Sequence, residues 1–245
     1  MRTSEVRFDD DGVPLAGSCD LPDAGVGRDI LLLQHGFTGH RIELAYYFVD
    51  LARRLTAAGI TVYRFDFRGC GESGGRFEDI TVADQARQVG ALLAWLRTRH
   101  PDARLHLAGF SMGGLAAARA AQGAALSSLT LIAPAGNLGE LVERACAAGI
   151  PLADGCVDFL GLRIGGALRQ ELAELDPEAG LARIAMPTLV VHGDQDAAVP
   201  PATGRRFAAR IPGAGWCEVR GADHVFGNGE ARAALAAAMV SHLHA

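Results

Sequence analysis

The chain has 245 residues, 49% of them hydrophobic and 21% charged, with a formal net charge of -5. That length buries enough apolar surface for one larger domain without staples, and such a composition excludes disordered, fibrous and low-complexity chains. The mildly acidic balance, with no basic stripe, argues against a nucleic-acid partner. The five cysteines (Cys19, Cys70, Cys146, Cys156, Cys217) include no Cys-x-x-Cys pair, so neither a disulfide framework nor a zinc site is expected. Together with a polar start over Met1 to Asp11 and apolar runs too short to span a bilayer, this points to a cytoplasmic location and no membrane partner.

Two short alternating segments, residues 5–8 and 15–19, are joined by Asp9-Asp10-Asp11-Gly12, a hairpin signal that predicts an antiparallel entry to a sheet. From Asp29 onward, apolar runs alternate with amphipathic stretches, as in βαβ units around a mostly parallel sheet. The expected strands are 30–34, 60–65, 104–108, 129–133, 188–192 and 216–219. The expected helices are 45–57, 82–98, 112–122, 203–210 and 230–242. Within the second, Val82, Ala86, Val89, Leu93 and Leu96 recur at helical spacing, giving one apolar face for the sheet. The alternation stops between Pro134 and Pro187, a gap long enough for a lid or small inserted subdomain. The expectation is a single domain over 1–245 with a cap insertion at about 135–182.

Gly-x-Ser-x-Gly occurs twice, around Ser73 and around Ser111. A nucleophile elbow needs a buried strand before the serine and a helix after it. Only Ser111 has both, with Arg104 to Ala108 before it and Met112 to Ala121 after it; Ser73, followed by Gly74-Gly75-Arg76, reads as a loop residue. A serine hydroxyl needs a base, and the base needs an orienting acid. Of the eight histidines, His100, His242 and His244 sit near helix ends and are expected to face solvent. His224, after the last strand, lies at the carboxyl end of the sheet, where ligands bind in open α/β folds, and is the expected base. Asp196, in His192-Gly193-Asp194-Gln195-Asp196, is favoured as the acid, with Asp194 the competitor in the same turn-rich loop. Oxyanion donors are expected from the backbone N–H of Met112, at a helix N-terminus, and of Phe37, in the loop His35-Gly36-Phe37-Thr38-Gly39. His35 and His40 lack the spacing and nearby carboxylate of a zinc site, and no cofactor is implied.

Taken together, His35-Gly36, Asp66-Phe67-Arg68-Gly69-Cys70-Gly71-Glu72-Ser73, Gly109 to Gly113, His192 to Pro200 and Asp223-His224 resemble the α/β-hydrolase superfamily. The resemblance covers essentially the whole chain and includes the order Ser111, Asp196, His224. It implies the α/β-hydrolase fold, with helices on both faces of the sheet and a small cap, and it places Ser73 in a structural loop. More narrowly, His-Gly-Phe-Thr-Gly, the elbow, and the insertion's Asp158 to Gly166 with Glu174-Leu175 are similar to the bacterial feruloyl or cinnamoyl esterase group. That implies a serine carboxylesterase acting on aryl or short acyl esters, hydroxycinnamates among them, through an acyl-enzyme. The group commonly places a cap tyrosine near the substrate phenol, whereas Tyr46, Tyr47 and Tyr63 all lie outside the insertion here, which implies a more apolar acyl pocket. A thioesterase, acyltransferase or aminopeptidase could use the same triad, and a ligand-binding module that keeps the fold without turnover is the alternative from another class. The expected partner is a small-molecule ester, and the cap residues Val157, Phe159, Leu160 and Leu162 could also form a homodimer contact.

Overall fold

The computed structural model describes residues 1–245. Asp11 and Gly12 both take positive φ, 52° and 81°, as a two-residue hairpin loop of the kind that follows strand twist requires. They turn β1 (Arg2–Asp10) back on β2 (Val13–Leu21) in antiparallel register. Next come β3 (Asp29–Gln34), α1 (Tyr47–Ala57), β4 (Thr61–Phe65), α2 (Val82–Arg99), β5 (Arg104–Phe110), α3 (Met112–Ala120) and β6 (Ser128–Ile132). The insertion then supplies α4 (Leu138–Ala148), β7 (Ile150–Pro151), β8 (Val157–Phe159), β9 (Leu162–Ile164) and α5 (Gly166–Glu174). The chain returns to the sheet with β10 (Thr188–Gly193), α6 (Pro201–Arg210), β11 (Gly215–Val219) and α7 (Gly229–Leu243).

The main sheet has the order β1-β2-β4-β3-β5-β6-β10-β11, antiparallel at β1, β2 and β4 and parallel from β4 to β11. Its central strands are covered on both faces, which is why β3 reads as an unbroken Ile-Leu-Leu-Leu run rather than an alternation. Leu31 and Leu33 join α1 and α7 in one core layer, while Ile30 and Leu32 join α2, α3 and α6 in the other. This is the α/β-hydrolase fold. No helix is long and apolar enough to cross a membrane.

The insertion carries its own three-stranded antiparallel sheet, β7-β8-β9. It is fastened to the body by Glu171, whose carboxylate accepts the Val82 and Ala83 N–H groups at 2.6 and 2.8 Å, a charged cap on the first turn of α2. Arg163 adds an ion pair to Glu78 of the body and another to Asp154 within the insertion.

Two expectations are corrected. The first helix starts at Tyr47, not residue 45, because Ala45 and Tyr46 take left-handed φ of 51° and 58°. His100 and His242 do not project into solvent: Nε2 of His100 pairs with the Tyr63 hydroxyl at 2.9 Å, and Nε2 of His242 donates to Leu129 O at 3.1 Å. Both are partly covered by the sheet rim, where an imidazole satisfies groups that would otherwise be orphaned. His244 is exposed, as expected.

Candidate active site

Strand register determines which loops meet. Gln34 of β3 pairs with Gly109 of β5, so the His35–Gly39 loop leaves the sheet beside the turn at Ser111. Gly193 of β10 pairs with Val219 of β11, so the loops carrying Asp196 and His224 also leave side by side. All of these lie at the carboxyl ends of parallel strands, where helix N-termini and loops converge.

Ser111 takes φ 54° and ψ -120° between β5 and α3, a strained conformation that costs on the order of 1–3 kcal/mol and is held only by its surroundings. Its N–H donates to Ile132 O at 2.9 Å, and its carbonyl accepts from Gly114 and Ala135. The flanking glycines are demanded by close approach. A Cβ at Gly109 would sit 2.2 Å from Gly113 O, and one at Gly113 would sit 2.2 Å from His35 O.

Nε2 of His224 lies 3.1 Å from Ser111 Oγ, and its Nδ1 lies 2.7 Å from Asp196 Oδ2. Because the carboxylate accepts at Nδ1, the imidazole carries its proton there and turns the Nε2 lone pair to the hydroxyl. Phe110 backs the imidazole at 4.8 Å between ring centroids. The other oxygen of Asp196 accepts the Ala198 and Val199 N–H groups at 3.0 and 2.8 Å. Burial alone would raise this carboxyl, but the bonds from His192 and His224, the charge of His224 and the Val199 N–H outweigh it, leaving Asp196 well below the usual carboxylate range. Asp194 is occupied elsewhere, accepting the Gly221 N–H at 2.6 Å, and makes no bond to His224.

The Phe37 and Met112 N–H groups make no hydrogen bond within the chain. The peptide before Phe37 N is fixed by His35, whose Nε2 accepts the Phe67 N–H at 3.0 Å and whose Nδ1–H therefore donates to Gly36 O at 2.9 Å. With its carbonyl held back, that trans peptide points the Phe37 N–H the other way. Burial lowers the His35 imidazole to about 4, so it stays neutral and keeps this tautomer. The second Gly-x-Ser-x-Gly serine, Ser73, lies elsewhere: its Oγ donates to Asp66 O at 2.7 Å and accepts the Ala16 N–H at 2.9 Å.

A cavity of about 500 Å³ opens over Ser111 and His224. Its walls are Phe37, the α4 residues Leu141, Arg144, Ala145 and Ala148, the cap residue Phe159, and Ala197 and Ala198. Arg144 is the one charged wall residue besides the site itself and donates to Ala198 O at 3.2 Å. No group of three or more His, Cys, Asp or Glu side chains converges as metal ligands would.

The alpha/beta hydrolase family profile matches residues 30–238. The chain belongs to the α/β-hydrolase family. It is similar, at modest identity, to the following proteins over most of their length. The monoacylglycerol lipase of Mycolicibacterium smegmatis is 27% identical over 223 residues, covering 75% of this chain and 76% of that one. Est1E from Butyrivibrio proteoclasticus, solved with ferulic acid bound, is 23% identical and superposes with a TM-score of 0.83 over 98% of this chain and 100% of that one. The esterase domain of a Rhodothermus marinus protein is 22% identical, with a TM-score of 0.76 over 98% and 97% of the two chains. At these identities, the likeness to the solved structures is one of fold.

Three contributors have roles that the sequence does not disclose. His192 opens the His192–Pro200 segment, but its contact with Asp196 appears only in the structure. His35 appears in the glycine-rich loop, but its tautomer needs the Phe67 N–H, 32 residues away. Glu43 is buried and accepts the Gly36 N–H at 2.8 Å; it follows an irregular segment where hydrophobic periodicity has nothing to report.

Proposed function

We propose that the chain is a serine carboxylesterase in which Ser111 is the nucleophile, His224 the general base and acid, and Asp196 the residue that orients the imidazole. The observation that carries this reading is the unbroken relay Asp196–His224–Ser111 at the floor of an apolar cavity, with two unpaired backbone N–H groups beside it. As Ser111 Oγ attacks the ester carbonyl, its proton passes to His224 Nε2, and the carbonyl oxygen becomes an oxyanion between the Phe37 and Met112 N–H groups. Collapse breaks the bond to the alcohol, which leaves with the proton from His224, and an acyl-enzyme remains. Water, deprotonated by the same imidazole, then releases the acid. Removing one oxyanion donor in such a site typically costs about 2.7–4 kcal/mol of barrier lowering. No step in this sequence calls for a cofactor.

The substrate side is an aryl or short acyl ester. Phe37 and Phe159 flank the cavity and suit the face or edge of an aromatic ring. The wall holds no tyrosine to meet a phenol, which favours acyl groups chosen by shape and apolar contact. A hydroxycinnamate ester, the kind of acyl group suggested by the ferulic acid in Est1E, fits this description without a dedicated phenol partner. Turnover of p-nitrophenyl acetate and butyrate beside methyl ferulate and a monoacylglycerol tests the reading. Hydrolysis of all but the monoacylglycerol supports the aryl and short acyl class. Hydrolysis of the monoacylglycerol alone moves the substrate to glycerol esters, and no hydrolysis of any ester contradicts the carboxylesterase reading.

A further inference from the structure

Nine non-glycine residues have left-handed φ, and four of them, Thr38, Glu43, Ala45 and Tyr46, fall in the single stretch between β3 and α1. Each such residue is strained and persists only where its surroundings over-determine it. Glu43 lies at the centre of that stretch. Its backbone has φ 59° and ψ 170°, and its side chain is buried, with the residue only 7% exposed. Oε1 accepts the Gly36 N–H at 2.8 Å and Oε2 the Leu44 N–H at 3.3 Å. The carboxylate fills the space beside Gly39, where a Cβ would lie 2.3 Å from Oε1. No arginine, lysine or terminal amine lies within ion-pair distance of it. A buried carboxylate with no cation is expensive to maintain for structure alone.

Three ionisable groups are coupled to it by charge. The Tyr47 phenol and the Cys70 thiol both feel its charge, and burial holds the first well above its ordinary range and the second at about 12. The third is His224, whose charge acts on Glu43. His40, on the same loop, turns its Nδ1 to the Ile42 N–H. Near neutrality, then, the one of these groups that gains charge during turnover is the imidazole of His224.

We propose that Glu43 is a positioning residue for the reaction: strapped to the Gly36 N–H, its ionised carboxylate holds the loop that presents the Phe37 N–H, and it gives His224 a second negative charge as it takes the Ser111 proton. Asp196 meets the imidazolium from Nδ1, and Glu43 acts through space without a direct bond. The inference rests on the roles proposed above for Ser111, His224 and Phe37. Burial raises the Glu43 carboxyl to about 6, against the lowering effect of the Gly36 and Leu44 N–H groups and of His224. Protonation of Glu43 therefore adds a second, partial loss of rate on the acid side, of the size of the loss in Glu43→Gln.

The test compares wild type, Glu43→Gln, Glu43→Ala and Ser111→Ala, with kcat referred to sites titrated by a fluorophosphonate and with log(kcat/KM) for p-nitrophenyl butyrate followed from pH 5 to 8. Glu43→Gln keeps the size and the acceptor for Gly36 but removes the charge. It is expected to lose about tenfold in kcat at pH 8 with KM little changed, and Glu43→Ala about a hundredfold, toward the loss of one oxyanion donor. The acid limb of the wild type should steepen toward two protons below about pH 6, and that of Glu43→Gln should return to one. A one-proton limb in both proteins, with kcat of Glu43→Gln within twofold of wild type, overturns the proposal even if Glu43→Ala does not fold. Turnover surviving in Ser111→Ala overturns instead the assignment on which it rests.

Discussion

His192 Nε2 lies 3.2 Å from Asp196 Oδ2, with both side chains fully buried. The same Nε2–H reaches Val199 O at 2.9 Å, so His192 ties Asp196 to its own loop. Asp196 thus receives two imidazole N–H groups and two backbone N–H groups. An amide cannot accept all four without turning its NH₂ against a donor. Asp196→Asn is therefore predicted to lose about 10⁴ in kcat through the wrong His224 tautomer, with KM little changed. Steady-state kinetics with p-nitrophenyl butyrate checks this, and a loss below tenfold would contradict it. Because the Asp196 carboxyl is depressed on folding, its contribution to stability is present above the ordinary carboxylate value and is lost as pH falls below it.

Ser73 separates fold from chemistry. Its hydroxyl serves Asp66 O and the Ala16 N–H in a partly buried position. Ser73→Ala leaves both without that partner and is predicted to lower stability by about 1–3 kcal/mol, while kcat per folded molecule stays within twofold of wild type. Urea unfolding beside kinetics reads both.

What the sequence made legible follows from how locally each feature is encoded. The β3 run, the Asp-Gly hairpin and the elbow at Ser111 depend on neighbours within a few residues, and periodicity and turn chemistry expose them. Which of Asp196 and Asp194 lies beside His224 depends on β10 and β11 register, and the sequence alone separates the two only by motif position. The internal structure of the insertion was invisible because β7, β8 and β9 are two or three residues each, too short for an alternation. Glu43 was hidden because its burial is decided by strained backbone rather than by pattern.

Glu171 offers a handle on the insertion. It caps α2 from 88 and 89 residues away, so Glu171→Ala frees the start of α2 and one anchor of α5 together. Its removal should lower stability by about 0.5–2 kcal/mol. Amide hydrogen exchange should accelerate in α5 and β9 while β5 and β6 remain protected. Unchanged exchange in α5 would show that Arg163 with Glu78 suffices.

Acid stability should carry opposed signatures from His35 and Glu43. Burial lowers His35 to about 4, so between pH 6.5 and 4 the unfolded chain binds a proton that the folded one refuses, and stability falls with pH by on the order of 3 kcal/mol. Glu43, raised by burial to about 6, binds its proton first in the folded state and offsets part of that fall. Glu43→Gln should therefore lose more stability than wild type between pH 7 and pH 5 in urea titrations, whereas parallel curves would contradict the raised carboxyl.

The most direct test of the site is covalent. Treating the folded protein with a fluorophosphonate and mapping the adduct by peptide mass spectrometry should place a single modification on Ser111, abolished in Ser111→Ala and His224→Ala and retained in Ser73→Ala. An adduct on Ser73, or labelling and ester turnover that persist in Ser111→Ala, would contradict Ser111 as the nucleophile.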